Sequence, residues 1–123
     1  MTFGPHTVTH PILSRVSDQQ SRWELTESWR RLGEEARRPV PVFCYPNGGA
    51  ADYSEREIAT LEQMRFLGAV IGSAGFVSSR TLRAGNAELF RTRRFPFPDS
   101  LSYLVQSVSG AERMKHLLRG EPA

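Results

Sequence analysis

The chain has 123 residues, 39% of them hydrophobic, and a formal net charge of +3, which together fit one globular domain at most. No apolar run approaches the roughly 20 residues of a membrane helix, and the start lacks the regions of a signal peptide, so neither is expected and no localisation is predicted. Most basic residues are arginines in scattered pairs without interleaved aromatics, so no nucleic-acid partner is expected. A single cysteine, Cys44, excludes an internal disulfide.

The first helix is predicted from Ser17 to the residues before Pro39. Ser17 and Gln20 have the spacing of a capping box, in which the side chains satisfy free backbone donors of the first turn. One apolar stripe recurs at helical spacing: Leu25, Trp29, Leu32 and Ala36. The short apolar segment 40–44 that follows predicts a strand, and Pro41 indicates that its first residues are not fully paired.

A second helix–strand unit follows the dense turn signal at residues 45–49. Ser54 and Glu57 form another capping box. Gly68 is expected in the left-handed conformation after the helix. The short apolar segment 69–72 predicts a buried parallel strand. The inner face of this helix is predicted to carry Ile58, Leu61, Met64 and Leu67.

The last third of the chain is less regular. Residues 73–86 predict a loop, residues 88–95 a partly exposed strand, and residues 101–108 a helix ended by Gly110. A further helical segment is predicted around Met114, Leu117 and Leu118. The alternation of helices and strands predicts an α/β fold with parallel strands, in which sites form at the carboxyl ends of the strands.

Two histidines, His6 and His10, lie four positions apart near the start, between two prolines. Neutral imidazoles at this spacing can reach one metal ion, but isolated pairs are also typical of surface or hydrogen-bonded histidines. Catalytic zinc usually has three protein ligands, and the available candidates, Asp18, Asp52 and His116, are not convincing.

The turn of Tyr45, Pro46, Asn47 and Gly48 has two interpretations. It is either a plain connector or a stiff turn whose backbone N–H groups face a developing oxyanion. The neighbouring Cys44 is interpreted as a small core residue rather than a nucleophile.

Segment 4–14, with His6 and His10, resembles the second motif of the polysaccharide deacetylases, carbohydrate esterase family 4. Segment 43–49 resembles the third motif of that family in a Tyr-Pro-Asn-Gly variant. The order and separation of the two motifs agree as well. The resemblance covers residues 1–120, as the carboxyl-terminal part of such a domain, and leaves 121–123 as a tail.

The resemblance implies a partial irregular (β/α) barrel that lacks its first strands. It implies a divalent metal ion, most commonly zinc, held by His6 and His10, with the third ligand missing from this chain. It implies that Tyr45, Pro46, Asn47 and Gly48 line the substrate groove, with Asn47 as a backbone oxyanion donor. The reaction would be hydrolysis of N-acetyl or O-acetyl groups on a polysaccharide. For an N-acetyl group, the bond broken is a carbon–nitrogen bond that is not a peptide bond.

The aspartate motif of the family, which holds the base and one metal ligand, is absent. We therefore expect the isolated chain to be impaired and a missing amino-terminal half to be a partner. The alternatives are an unstable fragment or a non-catalytic carbohydrate-binding protein that uses aromatics such as Tyr53 or Trp23.

Overall fold

The computed structural model describes residues 2–77, 79–83, 86–95, 99–111, 114 and 118. Among these residues, a 3-10 turn at Leu13–Arg15 precedes seven helices and strands. In chain order these are α1 (Asp18–Glu35), β1 (Val42–Cys44), α2 (Glu55–Gln63), β2 (Gly68–Val70), α3 (Ser79–Arg83), α4 (Asn86–Leu89) and α5 (Leu101–Val108). None of the helices within the described residues has both the length and the apolar character that crossing a bilayer requires.

The sheet is small and parallel, as the sequence predicts. β1 pairs with β2 in a register that puts Phe43 opposite Ala69. Isolated parallel bridges, Phe3 to Pro39 and Val70 to Thr92, extend the pairing on both sides. The Cys44 N–H also donates to the Pro5 carbonyl at 3.0 Å, so residues 3–5 run beside β1 and lead into His6 at its carboxyl end.

Both predicted helix starts are confirmed. At Ser17 one half of the predicted capping box is present, because its side chain accepts a hydrogen bond from the backbone N–H of Gln20. Ser54 and Glu57 form a complete capping box. The segment before β1 bends at Pro41, and the strand begins at Val42, two residues later than the apolar run suggests. Proline has no N–H to donate to a sheet ladder, which is consistent with this later start.

The end of α2 differs from the prediction. The left-handed residue after the helix is Arg65, with φ of 61°, and not Gly68. Gly68 begins β2 instead, where an added Cβ would lie 2.6 Å from the Leu89 carbonyl oxygen, so close packing rather than φ requires glycine. Because the chain turns at Arg65, Phe66 is buried and Leu67 is 68% exposed, contrary to its expected place on the inner face.

The region after β2 also departs from the prediction. The expected loop 73–86 contains the short helix α3, and α4 occupies the start of the expected strand 88–95. Within that segment, Thr92 makes a single bridge to Val70. The helix at residues 101–108 is confirmed, and Gly110 after it has φ of 79°. Of the further helical segment, Leu117 lies outside the described residues.

One hydrophobic core joins α1, the sheet and α2. Trp29 packs edge-on against Phe66, and Phe66 packs in turn against Phe43. These contacts place the aromatic rings of a helix, a strand and the turn before β2 in one cluster. The buried hydrophobic members are Leu13, Leu25, Phe43, Tyr45, Ile58, Leu61, Phe66, Ala69 and Phe90.

Candidate functional site

The two predicted metal-binding histidines lie side by side at the carboxyl end of β1. The ring centroids of His6 and His10 are 4.8 Å apart, with an angle of 76° between the ring planes. Both side chains are exposed. The loop of residues 6–10 therefore presents two accessible imidazoles on one surface, as the spacing in the sequence allows.

The His6 ring is oriented by the strand beneath it. Its Nδ1 lies 2.7 Å from the carbonyl oxygen of Cys44, the last residue of β1. Because a carbonyl oxygen only accepts, Nδ1 must carry the proton, and in the neutral ring Nε2 keeps its lone pair. Histidines that bind metal ions commonly donate their other ring N–H in this way.

The loop between the histidines has an uncommon backbone. Thr7 and His10 have φ of 64° and 58°, in the left-handed region that residues with a side chain seldom adopt, and a β-branched residue least of all. Each such residue costs about 1–3 kcal/mol. The Thr7 hydroxyl joins the two histidines, donating to the His6 carbonyl at 2.5 Å and accepting from the His10 N–H at 3.1 Å.

A buried carboxylate on α1 holds the same loop. Glu24 accepts hydrogen bonds at Oε2 from the backbone N–H groups of Val8, at 2.7 Å, and Thr9, at 3.0 Å. Its Oε1 accepts from the Thr9 hydroxyl. The middle of the loop is therefore tied to the helix by three donors to one side chain.

The donor set fits two ligands of a metal ion and lacks a third. Among the described residues, no group of three or more His, Cys, Asp and Glu side chains is arranged to hold a metal ion. Asp52 accepts from the Gly49 N–H at 2.8 Å, and Asp18 pairs with Arg56, so neither joins the histidines. His116 lies outside the described residues.

The Tyr-Pro-Asn-Gly turn follows β1 directly, at the same edge of the sheet as His6. The side chains of Tyr45 and Pro46 are buried, Gly48 is buried, and Asn47 is exposed with φ of 57°. The Gly48 N–H donates to the Pro46 carbonyl at 2.6 Å, whereas the Asn47 N–H has no acceptor among the described residues. Asn47 is thus the member of the turn that presents an accessible side chain to solvent.

Tyr45 packs face to face on Tyr53, with the ring centroids 4.1 Å apart. Its hydroxyl has no hydrogen-bond partner among the described residues, and burial raises the pKa of the phenol. Tyr45 is therefore a core residue that supports the turn from below. Of the four residues predicted to line a substrate groove, Asn47 is the exposed one.

Cys44 has the environment of a structural residue. Burial raises the pKa of its thiol, although the nearby Arg94 opposes this effect. A raised pKa keeps the thiol protonated and lowers its nucleophilicity. The contact of His6 with Cys44 is to its backbone carbonyl.

A cavity of about 420 Å³ lies near the Tyr-Pro-Asn-Gly turn. The turn adjoins it through the backbone, because the Gly72 N–H donates to the Gly48 carbonyl at 2.9 Å and Ile71 and Ser73 line the cavity. Arg91 in the wall forms an ion pair with Glu55. The full lining is Ala50, Tyr53, Ser54, Glu55, Ile71, Ser73, Glu88, Arg91 and Arg93.

Sequence reasoning missed the residues that shape the histidine loop. Glu24 follows Ser21 by three positions and precedes Ser28 by four, and all three are buried on the face of α1 that also carries Leu25. A charged residue in phase with an apolar stripe was the available signal, because buried carboxylates require partners. The sequence did not predict which donors would bind the Glu24 carboxylate, because they belong to a loop about 15 residues earlier in the chain.

Comparison with known proteins gives a family and a similar fold. A family model described as polysaccharide deacetylase matches residues 1–67, more than half of the 123-residue chain. The fold resembles that of the Streptococcus pyogenes deacetylase PplD, solved in complex with acetate, with a TM-score of 0.64 and 23% sequence identity. The alignment covers 83% of this chain and 42% of that protein, so the chain spans less than half of that structure. No curated protein sequence matches the chain.

Proposed function

The chain belongs to the polysaccharide deacetylase family, and we propose that it forms the carboxyl-terminal part of a metal-dependent deacetylase that removes N-acetyl or O-acetyl groups from a polysaccharide. Residues 1–120 would form this part and 121–123 a tail. The observation that carries the proposal is the exposed pair of adjacent, edge-on imidazoles, with His6 held through Nδ1 by the Cys44 carbonyl. This arrangement prepares Nε2 of His6 as a ligand.

His6 and His10 would hold a divalent ion, most commonly zinc in sites of this type. When bound, such an ion polarises an acetyl carbonyl and lowers the pKa of a bound water. The role of the protein residues is to orient the two imidazoles. The described residues contain no third ligand beside them, so the site requires a carboxylate from elsewhere.

The turn after β1 would bind the substrate next to the histidines. Asn47 would line the groove, and its backbone N–H would donate to the oxyanion that develops at the acetyl carbonyl oxygen. Tyr45, Pro46 and Gly48 would support this position from beneath, since their side chains or backbone are buried. The nearby cavity provides a tyrosine ring and charged side chains at which a sugar chain can continue.

We propose that the missing ligand and the catalytic base belong to an amino-terminal half that pairs with the sheet at residues 3–5. The parallel segments observed here would then be the later part of an irregular (β/α) barrel without its first strands. In this arrangement the isolated chain binds metal weakly and deacetylates poorly. This expectation would be contradicted if the isolated chain deacetylated a chitooligosaccharide at an ordinary enzyme rate and a chelator abolished the activity.

The metal site is tested by titrating the purified chain with Co²⁺ and following the visible absorbance of the bound ion. His6→Ala and His10→Ala are each expected to weaken binding by at least tenfold, because each removes one of two ligands. Glu62→Gln, on the exposed face of α2, is the control and should leave the affinity unchanged. Equal binding by all variants would remove the histidine pair from the proposal.

Carbohydrate binding without chemistry is the second candidate function. The specific observation in its favour is the cavity, because Tyr53 and several charged and hydroxyl side chains line it without the histidines. Trp23, the other aromatic considered, lies half exposed on α1 and does not line the cavity. Glycan binding that survives both a chelator and the double change His6→Ala, His10→Ala would favour this function, and loss with the metal would favour the deacetylase.

A further inference from the structure

We propose that Glu24 is a positioning residue for the histidine pair, and that its buried carboxylate holds the loop of residues 6–10 in a ligand-ready conformation before any metal arrives. The inference rests on the proposed function, in which His6 and His10 are the metal ligands. It adds a residue of α1 that does not contact the metal and acts only through the loop.

The contacts of Glu24 all lead to the segment between the two histidines. Its side chain is 0% exposed, and it accepts from the N–H groups of Val8 and Thr9 and from the Thr9 hydroxyl. Both carboxylate oxygens are used. One rigid helix therefore fixes the middle of the loop, and the histidines flank that fixed point on either side.

The electrostatics favour this interpretation over ordinary packing. A buried carboxylate normally requires a cation or several strong donors. No arginine or lysine pairs with Glu24 in the part of the chain that the structure describes, so the loop donors are its compensation there. The charge and the loop conformation thus stabilise each other, since opening the loop would leave the carboxylate buried without those donors.

The loop needs such a constraint. Thr7 and His10 are both left-handed, a conformation that persists only where the surrounding structure holds it in place. The Thr7 hydroxyl links the two histidines but does not anchor them to the rest of the protein. His6 has its own anchor at Cys44. For His10, Glu24 provides the corresponding anchor through Val8 and Thr9.

Glu57 offers a matched control within the same chain. It is also a fully buried glutamate, but its partners are Ser21, Ser54 and Arg56, none of which belongs to the histidine loop. A general effect of losing a buried carboxylate should therefore appear in both Glu24→Gln and Glu57→Gln. A positioning effect should appear only in the first.

The test compares the full chain with Glu24→Gln, Glu57→Gln and Thr9→Val. Co²⁺ affinity is measured by titration, thermal stability by circular dichroism, and the metal-free loop by the NMR cross-relaxation between the His6 and His10 ring protons. Glu24→Gln should weaken Co²⁺ binding about 10–100-fold, the range seen when groups that orient metal ligands are lost. It should also abolish the ring-to-ring signal.

Glu57→Gln should lower the melting temperature and keep both the affinity and the signal. Thr9→Val removes only the hydroxyl that donates to Glu24, so this variant should stay folded even if Glu24→Gln unfolds. It should weaken Co²⁺ binding several-fold. An unchanged ring-to-ring signal in Glu24→Gln would overturn the inference, as would an affinity loss no greater than that of Glu57→Gln.

The two proposals fail separately. If the unsubstituted chain binds no Co²⁺, the metal site of the proposed function fails. The ring-to-ring signal in the metal-free chain then decides the inference about Glu24 alone: its loss in Glu24→Gln sustains the inference, and its persistence overturns it.

Discussion

At the scale of single residues, the turn after β1 depends on a glycine. Gly48 has φ of +75°, and a Cβ there would lie 2.2 Å from the Gly72 backbone nitrogen. A side chain would therefore meet both an unfavourable backbone conformation and a backbone atom that cannot move aside easily. Gly33, in the last turn of α1, has nothing within 4 Å of its Cβ position and is the matched comparison.

We predict opposite effects for alanine at these two glycines. Gly48→Ala should lower the free energy of unfolding by at least about 1–3 kcal/mol, the cost of one residue in a sparsely populated backbone region. Gly33→Ala should raise it by about 0.5–1 kcal/mol, because alanine loses less entropy in a helix. Urea denaturation of both variants checks this. A neutral Gly48→Ala would contradict the close packing of the turn on Gly72.

At the scale of elements, α1 and α2 are joined by a buried polar cluster. Glu57 on α2 accepts from Ser21 of α1 at 2.5 Å and from the Ser54 hydroxyl at 2.8 Å. Arg56 donates to the same carboxylate and also to the Leu13 carbonyl at 2.8 Å. These bonds align the two helices and hold the 3-10 turn at Leu13–Arg15, and none of them reaches residues 6–10.

The cluster predicts a pH dependence. Burial raises the pKa of Glu57, but hydrogen bonds from Ser21, Ser54 and Arg56 outweigh it and leave the pKa below its ordinary 4.5. A lowered pKa in the folded state adds stability above pH 4.5, and this stability is lost progressively as the pH falls below that value.

Glu57→Gln should therefore flatten the acid side of the stability profile, measured as the urea midpoint between about pH 3 and 6. At neutral pH the change should cost about 1–3 kcal/mol, because the amide cannot satisfy all the former donors. Glu62→Gln, on the exposed face of the same helix, is the control. The same acid slope in the unsubstituted chain and in Glu57→Gln would contradict the role of this carboxylate.

At the scale of the molecule, one core connects the histidine loop, both long helices and the sheet. The cluster extends from Leu13, just after the loop, to Phe90 beyond β2. A shared core predicts that these parts unfold together. A shared core also argues against the alternative of an unstable fragment, because a chain without a common core would show no cooperative unfolding transition.

We predict a single cooperative thermal transition for the described core. In a Trp23→Phe background, Trp29 is the remaining tryptophan, and it packs on Phe66 with ring centroids 5.1 Å apart. Its fluorescence should change at the same temperature as the helical circular dichroism signal. Two separate midpoints would show that α1 and the sheet do not share one core, and the absence of any transition would support the unstable-fragment interpretation.

Local chemistry in the sequence was sufficient for the helix starts and the two parallel strands, and the resemblance of two motifs was sufficient for the family. The Ser54–Glu57 capping box and the helix at residues 101–108 were predictable because their interactions span only a few residues. The segment at residues 88–95 was not, because its apolar and arginine content does not distinguish a strand from the short α4 followed by one bridge. Gly68 was misinterpreted for a similar reason, since the carbonyl that excludes a side chain there belongs to the distant Leu89.

The sequence by itself determined which residue types stand at the site: two histidines four positions apart and a turn of Tyr45, Pro46, Asn47 and Gly48. Only the tertiary structure decided how they are oriented. The Cys44 carbonyl selects the His6 nitrogen that carries the proton, and Glu24 restrains the loop between the histidines. These contacts join residues 38, 16 and 15 positions apart, and separations of that size are set by the packing of a strand and a helix, which no local pattern encodes.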